Sequence, residues 1–76
     1  MEEKLKNIFS ELFKIDKNTV NPNSSINNIE RWSSLMHFKL IAMIEEEFKI
    51  NFNEEEFIRL TSFAEIVKVL SKKVNR

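Results

Sequence analysis

Residues 32–48, WSSLMHFKLIAMIEEEF, decide the fold. Leu35, Phe38, Ile41, Ile44 and Phe48 recur at spacings of three and four, which predicts one apolar side of a helix running from about Ser34 to Phe48. Met36, Leu40 and Met43 form a second apolar side, about 100° or more away around the helix. A helix that is apolar on two sides is either central to a bundle or bound to something. Its start is marked by Ser33, whose hydroxyl can accept from a backbone N–H two or three residues on.

Downstream, Asn53 and Glu56 have the spacing of a capping box and predict a short helix over roughly 54–59. Ser62 and Glu65 repeat the signal ahead of Phe63, Ile66, Val67, Leu70 and Val74, which cluster within about 100° of arc. Lys72, Lys73 and Arg76 follow, where cations suit the negative end of a helix dipole. Upstream, Leu5, Ile8, Phe9, Leu12 and Phe13 predict a helix over residues 2–14, with one apolar stripe about 140° wide. Between these helices, residues 15–33 are rich in Asn and Ser and hold the only Pro, Pro22. Asn and Ser side chains compete for backbone groups and favour turns. Ile15, Val20, Ile26, Ile29 and Trp32 punctuate this long connection and are expected to pin it over the core. The reading is one domain over residues 1–76, all-α: an irregular four-helix bundle of three main helices and one short one, with a long first loop.

Composition narrows what such a bundle does. Twelve basic and twelve acidic residues give zero formal charge, against the basic face of a nucleic-acid binder or a polybasic membrane anchor. With no Cys, disulfides and cysteine-based zinc sites are excluded, and with no Gly, so are glycine-rich phosphate loops. One His and one Asp leave no triad or metal constellation, so an enzyme is poorly supported. No apolar run approaches a membrane span. The acidic start MEEKLKNIF lacks the apolar core of a signal peptide, which points to the cytoplasm.

The chain resembles the acyl carrier protein family over nearly its whole length. Ser33-Ser34-Leu35 stands where that family has Asp-Ser-Leu, whose Ser carries 4′-phosphopantetheine. The stretch MIEEEFKINFNEEEFIRLTSFAEIV resembles the family's acidic end of helix two, its short third helix and the entry to its last helix. Phe13, Ile15 and Val20 match its apolar positions upstream, and Asn23-Ser24-Ser25-Ile26 resembles the approach to the motif. The tripeptide alone is a weak signal, and its register with the rest of the chain gives it weight.

The resemblance implies a carrier, not an enzyme: an acyl group rides as a thioester on an arm at Ser34. Its partners are then a phosphopantetheinyl transferase and acyl-loading and acyl-accepting enzymes, with a monomer expected and neither nucleic acid nor membrane insertion involved. Helix two is the side the family offers to enzymes, which makes Leu35, Met36, Lys39, Met43 and Glu46 the candidate contacts. Two departures stand out. Ser33 replaces the Asp that the family's transferase uses near its metal, and Met36 and Lys39 replace acids. Charge patterns select partners, so these changes point to a specialised saccharide, lipid or secondary-product pathway rather than housekeeping fatty-acid synthesis. An aminoacyl or peptidyl carrier and an unmodified carrier-like interaction module remain alternatives. Trp32 reads as a loop anchor, and His37 as a surface or partly buried residue without catalytic work.

Overall fold

The computed structural model describes residues 1–74, so Arg76 lies outside the described residues. Four helices follow one another: α1 (Glu2–Phe13), α2 (Ser34–Phe48), α3 (Glu54–Arg59) and α4 (Phe63–Val74). They form an all-α bundle, with the long loop between α1 and α2 drawn across it. No helix among the described residues is long and apolar enough to cross a membrane.

Helix α1 buries Leu5, Ile8, Phe9 and Phe13. It stops at Lys14, which takes left-handed angles (φ 57°, ψ 46°) and donates its N–H to the Ser10 carbonyl. The loop then bonds to itself. Asp16 accepts from the Asn18 N–H at 2.9 Å and starts a 3₁₀ turn over Lys17–Thr19, an element the spacing of apolar residues does not announce. Asn21 and Asn28 accept from the N–H groups of Asn23 and Ser25. These side chains satisfy backbone groups that a helix would otherwise satisfy, which is why this stretch stays irregular. Apolar residues fasten it, with Val20, Ile29 and Trp32 buried and Ile15 and Ile26 half-buried against the core. The loop also clips to the α3–α4 turn. Ile26 donates to the Thr61 carbonyl at 2.9 Å, and Phe63 donates to the Ser24 carbonyl at 2.8 Å.

Aromatic rings fill the centre. Phe9 meets Phe13, Trp32 and Phe63 edge to face at 5.4–5.5 Å between centroids. Each such ring removes a large apolar area from water, and edge contacts add about 0.5–1.5 kcal/mol apiece. Leu5, Leu40, Ile44, Leu60, Ile66 and Leu70 close the remaining space and are fully buried.

Helix α2 corrects the apolar side expected for it. The residues it buries are His37, Leu40, Ile41 and Ile44, whereas Leu35 and Phe38 are 65% and 63% exposed. Helix geometry explains the difference. A step of three residues turns about 300°, so each step of three falls back about 60°. From Leu35 through Phe38 and Ile41 to Ile44, three such steps carry the apolar series half-way round the helix. Ile41 and Ile44 point inward, and Leu35 points away. Met36 and Met43 are half-buried at the core's edge.

The expected caps all form. Ser33 accepts from the Met36 N–H, Asn53 and Glu56 make a complete capping box, and Ser62 accepts from the Glu65 N–H at 3.2 Å. Lys73, in the last turn of α4, pairs with Glu56 at 3.0 Å and sits 5.7 Å above the Phe52 ring. That tie holds the start of α3 and the segment before it against α4.

Candidate functional site

Ser34 is the first residue of α2, and its side chain is exposed. The turn before it is built by short-range bonds. Trp32 N–H donates to Ile29 O, and Ser33 N–H donates to Arg31 O, both at 3.0 Å. Ser33 itself is extended (φ −95°, ψ 178°), the usual conformation of a residue just ahead of a helix. Its Oγ accepts from Met36 N–H at 3.3 Å, and its carbonyl accepts from His37 N–H at 2.8 Å.

A helix leaves its first N–H groups without intrahelical acceptors and carries partial positive charge there. The amides of Ser34 and Leu35 belong to that set. No acid lies in the first turn of α2. A hydroxyl at this position can therefore carry an anionic ester with its charge beside free donors, on the outside of the molecule.

The other sequence-derived candidates fall into two groups. Leu35, Lys39 and Glu46 are exposed along the outward side of α2. Met36 and Met43 border them, each half-buried against the core. The structure adds one apolar residue to this surface and exposes another on α3. Phe38 projects outward beside Leu35 with its ring 4.9 Å from that of Phe57, and Ile58 on α3 is 67% exposed. Phe38 escapes a reading of the sequence because the helical repeat assigns it to the buried side. Nothing in the sequence marks Ile58 as exposed.

The three residues of the run Glu45–Glu46–Glu47 are placed differently. Glu45 is half-buried, and its Oε2 accepts from the Phe52 N–H at 2.8 Å. Glu47 lies 3.7 Å from Lys4 in an exposed pair. Glu46 makes none of the ion pairs among the described residues. Two carboxyls elsewhere are held below their ordinary range. Glu56 accepts from the Asn53 backbone and from Lys73, and Glu3 accepts from Lys17. Both bind the frame together.

His37 is the residue whose place the sequence hides. It is buried, with 7% of its surface exposed, instead of lying at the surface or partly buried as a lone His is expected to. A lone His has no periodic signal of its own. Trp32, five residues earlier, supplies the partner that makes burial tolerable, since a buried indole N–H needs an acceptor. The two are hydrogen-bonded at 3.0 Å.

The family model for the phosphopantetheine attachment site matches residues 3–70. A search among curated proteins finds no match.

Proposed function

The chain belongs to the phosphopantetheine attachment-site family, and on that premise we propose that Ser34 bears the arm and that the loaded chain carries an acyl group between enzymes of a specialised pathway. Members of this family are carriers and not catalysts, and the arm is bound covalently. When attached, it supplies a thiol on which a carried acyl group forms a thioester. The observation that supports Ser34 is its position: an exposed hydroxyl on the first residue of α2. In the attachment step Ser34 Oγ bonds to the phosphorus of coenzyme A that bears the pantetheine half. The bond from that phosphorus to the nucleotide half breaks, and the hydroxyl proton passes to a base of the transferase. The new diester is anionic beside the first amides of α2, an arrangement worth about 0.3–1 kcal/mol at an exposed helix start.

The outward side of α2 favours the specialised reading. Leu35, Met36, Lys39, Met43 and Glu46 form the contact surface for partner enzymes, and Phe38 extends it. Its early turns are apolar and basic where an acid-reading enzyme would look for carboxylates. Partners are then selected by apolar fit near Ser34, with Glu46 as a peripheral charge. An acyl cargo is preferred to an aminoacyl one because this apolar rim lies beside the attachment point.

Intact mass after incubation with coenzyme A, magnesium and a transferase tests the reading, using both a broad-specificity transferase and the host's own. The wild-type chain and Ser33→Ala each gain one arm, and Ser34→Ala gains none. If neither transferase adds an arm to the folded wild type, the carrier reading fails. An arm lost in Ser33→Ala and kept in Ser34→Ala moves the attachment to Ser33. Met36→Asp with Lys39→Glu tests the pathway: loading by a fatty-acid transacylase rises, and unchanged loading removes the charge argument.

A further inference from the structure

His37 is buried, and the attachment chemistry does not use it. A buried polar ring is tolerated when its polar atoms are bonded, and both ring nitrogens are. Trp32 Nε1–H donates to Nδ1 at 3.0 Å, and Nε2 lies 2.9 Å from the Phe57 carbonyl oxygen. An indole N–H only donates and a carbonyl only accepts. The ring is thereby fixed as the neutral tautomer with its proton on Nε2.

The placement of these partners matters more than the bonds themselves. Trp32 stands two residues before Ser34 and His37 three residues after, so their bond closes a short loop of chain around Ser34. Inside it, Ser33 makes its own bonds to Met36 N–H and His37 N–H. On the other side of the ring, the Nε2 bond reaches α3, where the Phe57 ring meets the imidazole edge-on at 4.6 Å. One side chain thus joins the loop, the first turn of α2 and α3.

We propose that His37, held by Trp32, is a positioning residue for arm attachment: it fixes the Ser34 turn against α3, so that a transferase meets the two as one rigid surface. His37 touches no reacting atom. The inference rests on Ser34 being the attachment residue.

Transferase kinetics on Trp32→Phe, His37→Phe and the double variant test it, each at a temperature where circular dichroism shows a fully folded chain. Each single substitution lowers kcat/KM for the carrier on the order of tenfold and leaves the KM for coenzyme A unchanged. The double variant is no slower than the slower single one, because both act through one bond. Nitrogen-15 NMR of the wild-type imidazole shows the proton on Nε2. Trp32→Phe keeps a ring in the core and carries the test if His37→Phe does not fold. Singles modified at the wild-type rate overturn the positioning role alone, as do effects that multiply in the double variant or a proton found on Nδ1. A folded wild type that takes no arm overturns the Ser34 reading and the positioning role with it.

Discussion

Helix α4 buries Phe63, Ile66 and Leu70 and turns Ala64, Lys68 and Lys72 to solvent. Helix α2 buries His37, Leu40, Ile41 and Ile44, yet it also exposes Leu35 and Phe38. The buried residues of α4, at 63, 66 and 70, step by three and then four, so they stay on one line. The apolar residues of α2 run 35, 38, 41, 44 in threes and wind around the helix. One pattern serves a single contact. The other leaves two apolar sides, a core on the inner side and apolar surface left over beside Ser34.

That contrast predicts unequal costs for similar substitutions. Leu70→Ala on α4 removes a fully buried side chain and costs about 2–5 kcal/mol in denaturant unfolding, a large part of the stability of so small a domain. Phe38→Ala on α2 costs about 0.5–1.5 kcal/mol, the ring contact with Phe57. Leu35→Ala changes stability by no more than about 0.5 kcal/mol, but it slows transfer to a cognate enzyme on the order of tenfold, as loss of a contact worth more than about 1 kcal/mol does. If Leu35→Ala proves as destabilising as Leu70→Ala, the two-sided account of α2 is wrong.

The next effect is electrostatic and belongs to the tie between α3 and α4. The Asn53 N–H, and after it Lys73, hold the Glu56 carboxyl below its ordinary value of 4.5. A carboxyl lowered in the folded state contributes stability above its unfolded value, and that contribution is lost as pH falls through the folded one. Glu56→Gln keeps a cap acceptor but drops the charge. It is less stable than the wild type by about 0.5–1 kcal/mol at pH 7, discounted for partial exposure, and the gap closes as pH falls below about 4.5. A gap that stays constant down to the acid limit rules out the ion pair as its source. A gain of similar size is expected at the end of α2. Lys49 takes left-handed angles (φ 58°, ψ 47°) that favour Gly. Lys49→Gly raises stability by about 0.5–1 kcal/mol and leaves arm loading unchanged.

The starts of α2, α3 and α4 were legible in the sequence because side chains make them: Ser33, Asn53 and Ser62 each cap the helix expected after them. The end of α1 was less so. Lys14 forms the cap without Gly, in a chain that contains none, and the helix stops at Phe13, one residue short of the expected end. The anchoring of the loop by Val20, Ile29 and Trp32 followed from isolated apolar residues in a polar stretch. Its clip to Thr61 and Phe63 did not, because backbone bonds between distant segments leave no trace in residue type. At the proposed site, Ser34 was singled out by its register with a family pattern. The outward turn of Leu35 and Phe38 and the burial of His37 depend on which side of α2 the core claims, and tertiary packing decides that.

Fragment-ion mass spectrometry of the arm-loaded wild-type chain tests the central claim most directly. The account predicts one pantetheine phosphodiester, with the fragment series placing it on Ser34 at the exposed start of α2. The adduct on Ser33 or on any other hydroxyl would contradict it.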